Sequence, residues 1–220
     1  MHQTSFSFKN NNPYNSDEFI KSESNLLAYK TIHSWPNSVW GVNPYPKAVI
    51  LKGLKSSGKT FLAKIWAAKS GALIINSLKN FNEKAIENYK AFVIEDLDHD
   101  LNEEIILHNF NIIHEHNKYL LITLSKIPDI ILPDLRSRIN SVNIINIDAP
   151  DDELLKIFIF KLFSDYSVVV TEEIINYLIK ILPREFSSII SNIQKINEYA
   201  LMHKRKITIP LIKKALNYLL

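Results

Sequence analysis

Short apolar runs recur along the first two thirds of the chain, at Ala48–Leu51, Ala72–Asn76, Ala91–Ile94, Tyr119–Thr123 and Val142–Ile147. Such runs, apolar nearly throughout rather than alternating with polar residues, are expected of strands covered on both faces. Stretches of helical composition separate them: Phe61–Lys69, Asn82–Asn88 and Glu103–His116. Strand and helix in alternation predict an α/β fold with a parallel five-stranded sheet and helices on both faces. Before the first strand, Asp17–Trp35 reads as a lead-in and helix with Ala28, Ile32 and Trp35 on one face, stopped by Pro36. Asn37–Lys47 holds Gly41, Pro44 and Pro46 and reads as a loop. From Pro150 the pattern changes to helices alone: Asp151–Phe163, Thr171–Ile181, Ser187–His203 and Pro210–Leu219. Acids open the first two of these, where the helix dipole favours them. The expected division is a flexible arm over 1–16, an α/β domain over 17–149 and a small all-helical domain over 150–220.

Composition narrows the function classes. With 220 residues, 46% hydrophobic and 22% charged, the chain suits a soluble globular protein. A net charge of +3 does not by itself indicate nucleic-acid binding. Cysteine is absent, which removes disulfides and thiolate metal sites. No apolar run is long enough to span a membrane, and the polar N-terminus lacks the apolar core of a secretion signal, so the expected location is cytoplasmic. His114-Glu115-His116 does not have the spacing of a helical zinc site, because adjacent helix positions point apart.

Candidate chemistry centres on Gly53-Leu54-Lys55-Ser56-Ser57-Gly58-Lys59-Thr60, which satisfies G-x-x-x-x-G-K-[ST] between a strand and a helix that continues at Phe61. Two of the chain's four glycines are the fixed glycines of this motif. A strand–turn–helix unit aims backbone N–H groups and the positive end of a helix dipole at one point, where phosphate binds. Lys59 would reach the β- and γ-phosphates, and the Thr60 hydroxyl would hold Mg²⁺. Val93-Ile94-Glu95-Asp96 ends a strand in adjacent acids, the second half of such a site. Glu95 would hold the metal through water and Asp96 would orient an attacking water. Thr123 and Ser125, at the end of the next strand, are candidates for contact with the γ-phosphate or the water. Arg136 and Arg138 stand at i and i+2 before the last strand, and Arg184 stands at the start of a helix in the small domain. Arginine stays charged and presents a fork of donors that fits phosphate, so Arg138 on an exposed edge could enter a neighbour's site. In the arm, Gln3-Thr4-Ser5-Phe6-Ser7-Phe8 could dock two aromatic anchors, with Gln3 setting the register.

In combination, the phosphate motif, Glu95-Asp96, Leu135-Arg136-Ser137-Arg138 and Arg184-Glu185-Phe186 resemble the DnaA-related AAA+ family, and its Hda branch in particular. Asp17-Glu18-Phe19-Ile20, Ser24-Asn25, Ser34-Trp35-Pro36, Leu132-Pro133-Asp134 and Ala149-Pro150-Asp151-Asp152 add to the likeness, which runs from about Gln3 to the C-terminus. The resemblance implies a P-loop AAA+ domain with a helical lid, ADP or ATP with Mg²⁺ as cofactors, Arg138 as an arginine finger and Arg184 as a lid sensor. It implies that Gln3, Phe6 and Phe8 bind the DNA polymerase sliding clamp, with phenylalanines replacing the usual leucines. DnaA would be the partner whose bound ATP is hydrolysed, a homo-oligomer is compatible with the same family, and the chain's own turnover would be weak. Only 36 residues follow Arg184 and 14 lie between Asn76 and Ala91. Neither stretch holds the DNA-binding elements of the initiator, so no sequence-specific DNA contact is expected. The alternative is a self-sufficient AAA+ ATPase acting as a helicase loader or remodelling motor.

Overall fold

The computed structural model describes residues 19–37, 40–75, 78–81, 84–97 and 102–216. The arm bearing Gln3, Phe6 and Phe8 lies outside them. The chain forms, in order, α1 (Leu26–Ser34), β1 (Ala48–Gly53), α2 (Lys59–Ser70), β2 (Leu73–Ile75), α3 (Ala85–Asn88), β3 (Ala91–Ile94), α4 (Glu103–Glu115), β4 (Tyr119–Leu124), α5 (Pro133–Ser141), β5 (Asn143–Ile147), α6 (Asp152–Asp165), α7 (Glu172–Ile181), α8 (Phe186–Met202) and α9 (Ile209–Ala215). The five strands make one parallel sheet in the order β2-β3-β4-β1-β5.

Alternation along each strand divides the core. In β1, Ala48 and Ile50 join Phe92, Ile94, Leu120 and Ile122 beneath α4 and α5. Val49 and Leu51 face the other way with Ala91, Val93 and Leu121, under Ala28 and Ile32 of α1 and Leu62, Ala63 and Trp66 of α2. Both faces are covered, which explains the unbroken apolar runs. Trp40 and Trp66 stack with ring centroids 4.8 Å apart, and Trp35 meets Trp66 edge-on at 6.0 Å. The helices α6–α9 hold a separate core around Ile159, Phe163, Leu178, Ile193 and Ile212.

Within the stretch read as a lead-in and helix, the helix runs over Leu26–Ser34. Residues 19–25 form a strap held by the buried Asn25, whose side chain donates to the Ile20 carbonyl (3.0 Å) and accepts from the Ser22 N–H (3.0 Å). The segment holding both arginines is a helix, α5, in which only Leu135 and Ile139 are buried. Too few apolar positions mark it for periodicity to reveal it.

Two anchors fix α5. The half-buried Glu103 carboxylate, in the first turn of α4, accepts from the N–H groups of Ile131 (2.8 Å) and Leu132 (2.6 Å). Those two bonds, with help from the nearby Arg136 charge, hold its carboxyl below the usual glutamate range. Arg136 itself donates through Nε to the Ile130 carbonyl (2.9 Å).

At the other end of β5 the chain turns into the helical unit. The Asp151 side chain accepts from Leu154 N–H (2.7 Å) and so caps α6. Burial pushes its carboxyl up, but that bond and those from the Ser22–Ser24 strap outweigh it, and the net shift is downward.

Candidate functional site

The turn after β1 is built for close approach. A Cβ on Gly53 would lie 2.6 Å from Ser57 Oγ and 2.8 Å from the Ile147 carbonyl. Gly58 has φ of 96°, a left-handed conformation that side-chain-bearing residues rarely adopt. Lys59 is 4% exposed, and its ammonium donates to the carbonyls of Gly53 (2.7 Å) and Leu54 (2.9 Å). The turn therefore curls around a lysine tip at the N-terminus of α2, a helix of 12 residues.

β4 lies between β1 and β3, so the acids that end β3 stand one strand away from the glycine turn. Thr123 is fully buried, and its Oγ1 accepts from the Asp96 N–H at 2.9 Å. That bond spans 27 residues and holds Asp96 in a positive-φ conformation (48°). The two candidates at the end of β4 therefore separate: Ser125 lines the cleft above the sheet, whereas Thr123 supports its floor. Among the described residues, Glu95 Oε1 and Ser57 Oγ are buried with no hydrogen-bond partner. Buried polar atoms of this kind are normally satisfied, so one in the glycine turn and one at the end of β3 suit a site that a polar ligand and a cation complete. With Lys59 and Thr60 they form a donor set that fits a polyphosphate with Mg²⁺.

A cleft of about 740 Å³ opens over this turn. Its floor runs from Lys55 to Phe61, with Asp96 and Ser125. One wall is the strap, through Phe19, Ile20 and Asn25, and the facing wall comes from α6 and α8, through Leu154, Phe158, Leu162, Phe186 and Ile190. Phe19 stacks on Tyr29 at 5.7 Å and touches Phe61 at the same distance, and Phe158 meets Phe186 edge-on at 4.5 Å. The cleft thus has a polar end complementary to phosphate and an apolar, aromatic end, a layout suited to a nucleotide.

The arginines stand elsewhere. Arg184 is at the hinge, donating through Nη1 to the Pro150 carbonyl (3.1 Å) and through Nη2 to the Asp152 carboxylate. It is not among the residues lining the cleft, and the acceptors on Pro150 and Asp152 engage both ends of its fork. Arg138 is half-buried in the last turn of α5 and donates through Nη1 to the Tyr45 hydroxyl at 3.0 Å. Sequence reasoning missed Tyr45, which sits in a loop 93 residues away with no motif to mark it.

A parallel sheet with an inner strand leading into a glycine turn, acids at the end of a strand two places away and a helical unit over the cleft make an α/β fold with a candidate phosphate-binding site. Residues 165–216 match the family model described as "Hda, lid domain". The replication initiator DnaA of Buchnera aphidicola subsp. Cinara cedri is 24% identical over 94% of this chain, which spans about half (53%) of that relative's length. Among solved structures, domain III of Thermotoga maritima DnaA superposes with a TM-score of 0.72 at 17% identity, covering 94% of this chain and 98% of that one. AMPPCP-bound DnaA from Aquifex aeolicus gives 0.66 at 18% identity, covering 83% and 64%. The Holliday junction branch migration motor RuvB of T. maritima gives 0.68 at 18% identity, covering 94% and 72%. Over residues 165–216 the chain is similar to the Hda lid domain, over most of its length it is similar to that DnaA, and its fold is that of DnaA domain III.

Proposed function

We propose that this chain regulates the initiation of chromosomal replication by acting on the ATP that DnaA holds. In this reading residues 17–149 bind ADP or ATP, residues 150–220 form the lid and the arm over 1–16 recruits the chain to the sliding clamp through Gln3, Phe6 and Phe8. The backbone from Leu54 to Thr60 cradles the phosphates, with Lys59 as counter-charge, Thr60 and Glu95 toward Mg²⁺ and the Phe19–Phe61 end against the base. Bound Mg²⁺ would neutralise phosphate charge. Asp96, held by Thr123, is the group on this chain able to orient a water, and Ser125 faces the same space. Arg184 senses the nucleotide indirectly, through the hinge.

The observation that carries the reading is where Arg138 stands. Tyr45 precedes β1 and the glycine turn follows it, so six residues of strand separate the guanidinium from its own phosphate cradle. At about 3.3 Å per residue that is roughly 20 Å, too far to serve the same chain's nucleotide. The first residue of β5, directly after α5, pairs with Val49 near the start of β1, which keeps Arg138 at that far edge. A permanently charged fork at that edge is suited to a phosphate held by another molecule.

The test is hydrolysis of DnaA-bound ATP in the presence of clamp-loaded DNA. The intact chain should accelerate it, and Arg138→Ala should lower the stimulated rate by a factor on the order of 10³. Undiminished stimulation by Arg138→Ala would refute the finger role. ATP turnover by the chain alone, abolished by Asp96→Asn, would favour the self-sufficient motor instead.

A further inference from the structure

Arg138 is held by a neutral group. Among the described residues no carboxylate pairs with it. Its acceptor is the Tyr45 hydroxyl, and its Nε is buried without a partner. Tyr45 is itself fixed: the residue is 7% exposed, and its ring meets Phe110 edge-on at 5.0 Å and His114 at 4.7 Å, both on α4. Its N–H donates to the Val42 carbonyl (2.7 Å), and its carbonyl accepts from Ala48 N–H (3.1 Å), which ties the loop to the first residue of β1. The phenol oxygen is therefore placed by the sheet and by α4, while the guanidinium is placed by α5.

A guanidinium has five N–H donors, and one phenol oxygen satisfies one of them. A carboxylate in the same position would cancel the charge and oppose its transfer to phosphate. A hydroxyl instead restricts the side chain's rotamers and leaves the charge and the remaining Nη donors available. We propose that Tyr45 is the positioning residue for Arg138, holding its guanidinium at the edge of the sheet in the orientation that meets a triphosphate on a second molecule. This rests on the finger reading above and adds a residue to it.

Tyr45→Phe keeps the ring against Phe110 and His114 and removes only the hydroxyl. Hydrolysis of DnaA-bound ATP, measured against increasing concentration of this protein, separates maximal rate from half-saturating concentration. The variant should lower the maximal rate about three- to tenfold, the scale of one hydrogen bond, and leave half-saturation unchanged. Combined with Arg138→Ala it should add nothing, because the hydroxyl acts only through the guanidinium. In the free protein, NMR of the Arg138 Nε–H group should report increased side-chain motion in Tyr45→Phe. Full activity of Tyr45→Phe beside an inactive Arg138→Ala would overturn the positioning role and leave the finger intact. So would a rate loss matched by weaker half-saturation, or unchanged Arg138 motion. If Arg138→Ala is fully active, the finger reading fails and Tyr45 has nothing to position.

Discussion

At the scale of single residues, Thr123 shows how a side chain outside the cleft can shape it. Its hydroxyl is the acceptor for the Asp96 backbone at the point where β3 ends. Thr123→Val keeps the shape and removes that acceptor, leaving a part-buried N–H unsatisfied. The expected loss is about 1–2 kcal/mol in urea unfolding, together with a displaced Asp96. A variant as stable as the parent would show that water replaces the bond. Lys59 makes a plainer case, since its ammonium already sits among carbonyls at the centre of the turn. Lys59→Ala should abolish the calorimetric signal of ADP or ATP binding while the fold persists.

The next scale is that of helices and strands, where α4 and α5 are joined by one carboxylate. Glu103 anchors Ile131 and Leu132, the two residues just before α5. Its folded-state pKa lies below that of the unfolded chain, so the unfolded state takes up the proton first as pH falls. Its contribution is therefore complete at neutral pH and fades below roughly pH 4, as the medium passes through the depressed value. Glu103→Gln should flatten the acid limb of the stability curve, measured by denaturant unfolding from pH 7 to pH 3. An unchanged limb would mean that the carboxylate is not the titrating contact. The same pair of helices shows what a sequence can reveal. β1, β3 and β4 are legible because burial on both faces leaves their residues almost uniformly apolar. α5 is not, since two buried positions among nine leave no periodic signal. The glycine turn is legible because its conformation demands particular residues at fixed spacing. The Tyr45–Arg138 and Thr123–Asp96 bonds are not, because each joins segments that only the strand order brings together.

Considered whole, the cleft lies between two units and is walled by both, so a ligand filling it should stabilise both together. Nucleotide with Mg²⁺ at 100 times its dissociation constant should add about 2.7 kcal/mol and raise the melting temperature. A cooperative rise seen equally by tryptophan fluorescence, which reports the α/β unit, and by far-ultraviolet circular dichroism would fit this. A shift in only one signal would mean that the ligand does not bridge the units.

Arg138 stands at one end of the sheet and the glycine turn at the other, so on the proposed function the protein has a donating pole and a receiving pole. An assembly that brings one molecule's Arg138 to another's glycine turn is either a two-fold pair, in which each serves the other, or a head-to-tail row, in which service runs one way. In the row, a molecule that contributes only its Arg138 end would sit at the terminus of the nucleotide-bearing subunits, with its own pocket turned away from the subunit it serves.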